Sequence, residues 1–184
     1  MKTQSKLLSA AKFLNDRLLG IETFVMALIT VGLVAAIFIE VVCRYFLFVS
    51  VAWAEELTRY LFIWLTYIGS AYAVYTGSHT EIDVLQQIFT NMKGKKKENC
   101  LFTLKLLSII STGAFLSVFA KVFFDYMMII WARTQTSPTM HIPMGLVYLP
   151  VFIGTVMAVL HCVYLLIECL HNKHAGVETV CDQD

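Results

Sequence analysis

Four stretches of almost unbroken apolar residues organise this chain, at roughly 21–43, 54–75, 101–131 and 144–170. About 20 apolar residues wound as a helix cross the hydrocarbon core of a bilayer. Lipid offers no partner to bare backbone groups, so an open spanning segment must be helical. The pattern predicts four transmembrane helices. The third stretch is the longest and the least clean, because Lys105, Lys121 and Asp125 interrupt it. Its excess length points to tilt or to extension beyond the bilayer.

Two shorter segments have the helical period without the continuous apolarity. In 5–19, Leu7, Leu8, Ala11, Leu14 and Leu18 share one face, opposite Lys6 and Asn15. In 81–91, Ile82, Leu85, Ile88 and Phe89 do the same ahead of a lysine run. Amphipathic helices with basic flanks settle at the headgroup boundary, and both segments are expected there; plain cytosolic helices are the alternative. Orientation follows the lysines and arginines, which accumulate on the cytoplasmic side. Lys2, Lys6, Lys12 and Arg17 precede the first span, Lys93 and Lys95 to Lys97 lie between the second and third, and Lys173 follows the fourth. The opposite side has only Arg44, Arg59 and Arg133. Both termini are therefore expected in the cytoplasm, with a cytoplasmic loop at 79–100 and an even number of crossings.

Composition agrees. The chain is 58% hydrophobic and 15% charged, whereas a soluble domain averages about 45–50% and about 25%. Residues 1–184 read as one all-α integral membrane domain, with no repeats and no room for a soluble domain. The basic N-terminus could open a signal peptide, but the apolar run behind it exceeds the usual length of about 7–15 residues. It is expected to be a retained first helix. Neither lysine cluster has interleaved aromatics, so nucleic acid is not an expected partner. The cysteines at 43, 100, 162, 169 and 181 lack metal or redox spacing and read as small buried hydrophobes.

Several chemistries find no support. Gly94-Lys95 is followed by lysines and makes no nucleotide loop, and neither H-E-x-x-H nor G-x-S-x-G occurs. His161 is the clear mid-span histidine, but paired-imidazole haem ligation would want a second one in a facing helix. His171 and His174 read as solvated. The Gly/Pro-broken helices of a secondary transporter are not evident. The reading is a non-enzyme without its own cofactor or metal.

Polar chemistry concentrates in 44–64, RYFLFVSVAWAEELTRYLFIW, between two apolar spans. An ionisable group at membrane depth costs roughly 2.5–3.5 kcal/mol on insertion scales, so it sits at an edge, faces protein or has a task. Glu55 and Glu56 start the second span, with Arg59 four and three residues on. Acids in a first turn suit the helix dipole, and Glu before Arg at i,i+4 is favourable. A purely local device is one reading. Adjacent residues point about 100° apart, however, so only one glutamate serves Arg59 well and the other is free for a neighbouring helix or subunit. Trp53 fits an interfacial belt; Trp64 lies inside the apolar span, where its indole N–H needs a protein partner. Glu40 with Arg44, Lys121 with Asp125, and His79 with Asp83 are further i,i+4 pairs. Mutual neutralisation beside a partner helix is the expectation for Lys121 and Asp125, a proton relay the alternative.

In order along the chain stand Arg44-Tyr45, Trp53-Ala54-Glu55-Glu56-Leu57, Arg59-Tyr60, Trp64, Gly69, then His79 and Asp83 in SHTEIDVL, then Ser137-Pro138 and Ile142-Pro143 with Tyr148 and Pro150. This ordered set resembles the DctQ-like small membrane subunit of TRAP (tripartite ATP-independent periplasmic) transporters. The resemblance implies a multi-pass inner-membrane protein that pairs with a large multi-span subunit. That partner would hold the sodium and substrate sites, and a periplasmic binding protein would deliver organic anions such as dicarboxylates or sialic acids. The small subunit would then be a scaffold. Arg44, Tyr45, Trp53, Glu55, Glu56, Arg59, Trp64, Gly69, His79, Asp83, Lys121, Asp125, Pro138 and Pro143 become candidate interface or structural residues. The competing class is a self-sufficient small homo-oligomeric transporter or membrane enzyme.

Overall fold

The computed structural model describes residues 2–76 and 95–175. They form four helices: α1, Lys2–Phe46; α2, Ala52–Thr76; α3, Lys95–Ala132; and α4, Met144–Ala175. The architecture is all-helical, as the apolar pattern predicts. Three helices contain segments long and apolar enough to cross a membrane: Ala11–Phe46, Phe102–Ala132 and Met144–His171. Helix α2 falls short on composition. Its 25 residues reach about 37 Å, enough to span, but Glu55, Glu56 and Arg59 crowd its start and four tyrosines dilute the rest.

The helices do not close into a ring. Helix α2 packs between α1 and α4, while α3 packs on α4 alone among the described helices; α1 also makes a smaller contact with α4. Both connections, 47–51 and 133–143, lie at one end, here termed the loop end. The start of α1 and the close of α4 lie at the other, the terminal end. Phe48 (φ 54°) turns the chain out of α1, and the amides of Leu47 and Val49 both donate to the Cys43 carbonyl. A left-handed residue commonly ends a helix in this way.

One expectation is corrected. Segment 5–19 is not a separate surface helix; it continues without a break into the first span as α1. A lone Gly20 costs only about 1 kcal/mol in a helix, and nothing else between the two segments interrupts the ladder. Asn15, expected on the polar face, is 3% exposed, whereas Leu14 of the expected apolar face is exposed. The expected 81–91 helix, His79, Asp83 and Cys181 lie outside the described residues. Of the loop expected at 79–100, residues 95–100 are instead the first turns of α3.

The packed centre consists of Ala71, Val74, Ala158 and Cys162, with Leu116 and Met157 against them. Small residues let backbones approach where lipid supplies no hydrophobic drive. Gly154 is the tightest case in this seam. A Cβ there would stand 2.7 Å from the carbonyl oxygen of Tyr67, so the α2–α4 crossing requires glycine.

Candidate functional site

At the loop end, the two neighbouring glutamates take different roles. Glu55 is exposed and pairs with Arg59 at 3.3 Å, a local i,i+4 contact between side chains 63% and 68% exposed. Glu56 turns inward. Its Oε1 accepts from the Tyr60 hydroxyl at 2.6 Å, and its Oε2 accepts from the backbone amides of Thr139 and Met140 at 2.9 and 3.2 Å. One carboxylate thus joins the first turn of α2 to the connection before α4. That connection is itself braced: the Ser137 amide donates to the Ile142 carbonyl at 2.8 Å, and the Ile142 amide to Ser137 Oγ at 3.1 Å. The Met144 amide returns to the Gln135 carbonyl at 2.8 Å. Pro143, just before α4, lacks an N–H that a helix start would leave unpaired anyway. Thr134 and His141 adopt positive φ of 48° and 53° at the corners.

Two turns beyond Glu56 on α2, Trp64 Nε1 donates to the Val147 carbonyl at 2.9 Å. Pro150 supplies no N–H to the carbonyl four residues back, so this part of α4 has spare acceptor capacity, and the indole takes the adjacent carbonyl. The expected protein partner of Trp64 is therefore the backbone of α4.

The terminal half holds a second polar group that the sequence reading missed. His161 is fully buried in α4. Its Nδ1 lies 2.7 Å from Asn15 Oδ1 and its Nε2 lies 3.1 Å from Glu22 Oε1, both on α1. Tyr75 of α2 tilts against the ring at 5.6 Å, and Tyr164 lies beyond it. Asn15 Nδ2 and Glu22 Oε2 have no partner among the described residues. Turning the Asn15 amide end for end would let its NH2 donate to Nδ1 and leave its oxygen unpaired instead. The partner sought for His161 was another histidine; the structure supplies a carboxylate and an amide. One histidine and one carboxylate fall short of a metal-ligand set.

The remaining candidates divide clearly. Tyr45 and Trp53 are exposed at the loop end, and Arg44 is exposed in the last turn of α1. Gly69 faces Met26 of α1, with room for a Cβ at ordinary contact distance. Pro138 is exposed while Ser137 beside it is 1% exposed. Among the described residues Arg59–Glu55 is an ion pair, and His161–Glu22 lies within the same distance as a contact that is ionic only when the imidazole is protonated. Neither Glu40–Arg44 nor Lys121–Asp125 is closed. The latter departs from the expected mutual neutralisation, since lysine before the acid is the poorer order at this spacing. Of the cysteines, Cys162 and Cys169 are buried.

Residues 33–172 match the family model for the DctQ component of tripartite ATP-independent periplasmic transporters. The match takes in the Glu56 clamp, Trp64, the 133–143 connection and His161. This chain belongs to the DctQ family. It is similar to the C4-dicarboxylate TRAP transporter small permease protein DctQ of Rhodobacter capsulatus, at 31% identity over 107 residues, covering 58% of this chain and 44% of that protein. It is also similar, at 34% identity over 77 residues, to a protein of Haemophilus influenzae named as a TRAP transporter small permease; 42% of this chain and 45% of that one are covered. The aligned stretches thus span less than half the length of either relative. A DctQ-family chain with three helices apolar enough to span is a multi-pass inner-membrane protein and a small TRAP permease subunit. Glu22 and Asn15 fall before the matched segment, so the family match does not mark the partners of His161.

Proposed function

We propose that this DctQ-family chain scaffolds the large membrane subunit of a TRAP transporter, for sodium-coupled, binding-protein-dependent uptake of an organic anion. In this reading it crosses the membrane four times with both termini in the cytoplasm, so the loop end is periplasmic. Sodium and substrate sites belong to the large subunit, and a periplasmic binding protein delivers the anion, of dicarboxylate or sialic-acid type. The observation that carries the reading is how this chain uses its buried polar groups. Glu56, Trp64 and His161 each tie two parts of the chain together, and α4 continues unbroken through Pro150. Transporter sites near the bilayer midplane are typically built from discontinuous helices with freed backbone groups. Polar groups turned inward as braces suit a wall better than a gate.

The test is reconstitution under an inward sodium gradient. Liposomes should carry the chain alone, the chain with its large subunit, and both together with the binding protein. Uptake is expected in the complete system only. Sodium-driven uptake by the isolated chain would overturn the scaffold reading and favour a self-sufficient small transporter.

A further inference from the structure

Both nitrogens of the His161 ring face oxygen. Nδ1 lies 2.7 Å from Asn15 Oδ1 and Nε2 lies 3.1 Å from Glu22 Oε1, and the side chains of His161 and Glu22 are both 0% exposed. A neutral imidazole has one N–H and one lone pair. If Nδ1 donates to the amide oxygen, Nε2 has only a lone pair to set against the carboxyl group, and the two repel unless a hydrogen lies between them. That hydrogen is either the second ring proton of an imidazolium or the acid proton of Glu22. In both forms the pair is neutral overall. Turning the Asn15 amide end for end gives the other arrangement. Its NH2 then donates to Nδ1, Nε2–H donates to Glu22, and the carboxylate keeps a full negative charge.

Hydrogen-bond counting favours neither arrangement, because each leaves Glu22 Oε2 and one atom of the Asn15 amide without a partner among the described residues. Charge separates them. A net charge in an apolar interior is far costlier than a neutral, hydrogen-bonded pair. Among the described residues no lysine or arginine pairs with Glu22; Arg17, earlier on α1, lies over the Phe13 ring instead, at 5.2 Å. The titratable groups around the site add only negative potential. Tyr75 of α2 tilts against the His161 ring with Tyr164 of α4 beyond it, and Asp16 of α1 and Glu168 of α4 act electrostatically on both phenols. We infer that Asn15 turns its oxygen to Nδ1 and that one proton is held between His161 and Glu22 at neutral pH, which makes this contact of α1 with α4 a proton-binding site.

The test locates hydrogens in the wild-type chain, whole, in lipid nanodiscs at neutral pH. Solid-state NMR reads the isotope-labelled ring nitrogens of His161, identified through its contact with the Tyr75 ring, together with the carboxyl carbon of Glu22. Nδ1 is expected to carry hydrogen. With it comes either hydrogen on Nε2 opposite an ionised Glu22, or a bare Nε2 opposite a protonated Glu22; each places the held proton between the two residues. A bare Nδ1 with hydrogen on Nε2 would overturn the site, since it means that Asn15 donates and Glu22 stays charged. A bare Nε2 facing an ionised Glu22 would also overturn it, because no proton would then lie between them.

Discussion

Glu56 and Glu22 are both carboxylates buried at helix contacts, yet they sit in opposite kinds of site. At Glu56 both oxygens are occupied, by a hydroxyl from its own helix and by two backbone amides about 83 residues away. At Glu22 one oxygen meets His161 and the other meets nothing among the described residues. The first site pins a connection, and beside side-chain partners it uses two main-chain amides, whose positions the local fold dictates. The second pins one helix against another through side chains alone. Main-chain donors survive most substitutions, whereas a side-chain pair fails as a unit when either member is lost. The loop end should therefore degrade locally and the terminal half globally.

The most severe test of that contrast is His161→Leu. Breaking a buried pair and stranding its partner costs about 3–5 kcal/mol, so unfolding in detergent should shift strongly. The double variant His161→Leu with Glu22→Leu should regain much of the loss, since replacing both members by apolar groups is often near neutral. A double variant as unstable as the single one would show that the triad is not a pair.

Next in size is Gly154→Ala, which lies between the two sites on α4. Its Cβ meets backbone instead of a yielding side chain, and overpacking of this kind costs about 1–3 kcal/mol. Unfolding curves of this variant should fall between those of His161→Leu and wild type. Wild-type behaviour would mean that α2 and α4 slide apart freely, and the two sites would then be independent.

The loop-end glutamates give the smallest and most local effects. Glu56→Ala should leave the global unfolding transition little changed while exposing the Thr139 and Met140 amides to exchange. Glu56→Gln, which keeps one acceptor oxygen, should do so less. Glu55→Gln should change stability by no more than about 0.5 kcal/mol, as for exposed i,i+4 pairs. Equal effects of the two glutamate variants would erase the distinction between inward and outward neighbours.

The loop end was legible in the sequence because its parts are near one another in the pattern. Two adjacent acids cannot both serve Arg59 equally well, which leaves one free for a neighbouring helix or subunit, and the Ser137-Pro138 and Ile142-Pro143 dipeptides mark a shaped lead-in to α4. Hydropathy placed the apolar helices well, since continuous apolarity survives any packing arrangement. The terminal half was not legible. Its contacts join residues 139 and 146 positions apart, and periodicity carries no information about such pairings. Asn15 looked like the wet side of a surface helix because a polar residue on an amphipathic segment normally faces water. Here a buried histidine on α4 reverses that preference. Gly154 was equally silent, since a glycine in a span signals close approach only once the opposing backbone is known.

The contrast between a local clamp and a global pin is tested most directly by amide hydrogen exchange, comparing wild type, Glu56→Ala and His161→Leu in lipid nanodiscs. Glu56→Ala should speed exchange by about tenfold or more, the loss expected when charge-assisted hydrogen bonds go, and only across residues 137–144 and the first turn of α2. His161→Leu should speed exchange along α1 from about residue 11 to 25 and in the facing turns of α4. It should leave the 137–144 amides protected until the whole chain opens. Faster exchange at both ends in either single variant, or no change in α1 when His161 is lost, would contradict the account.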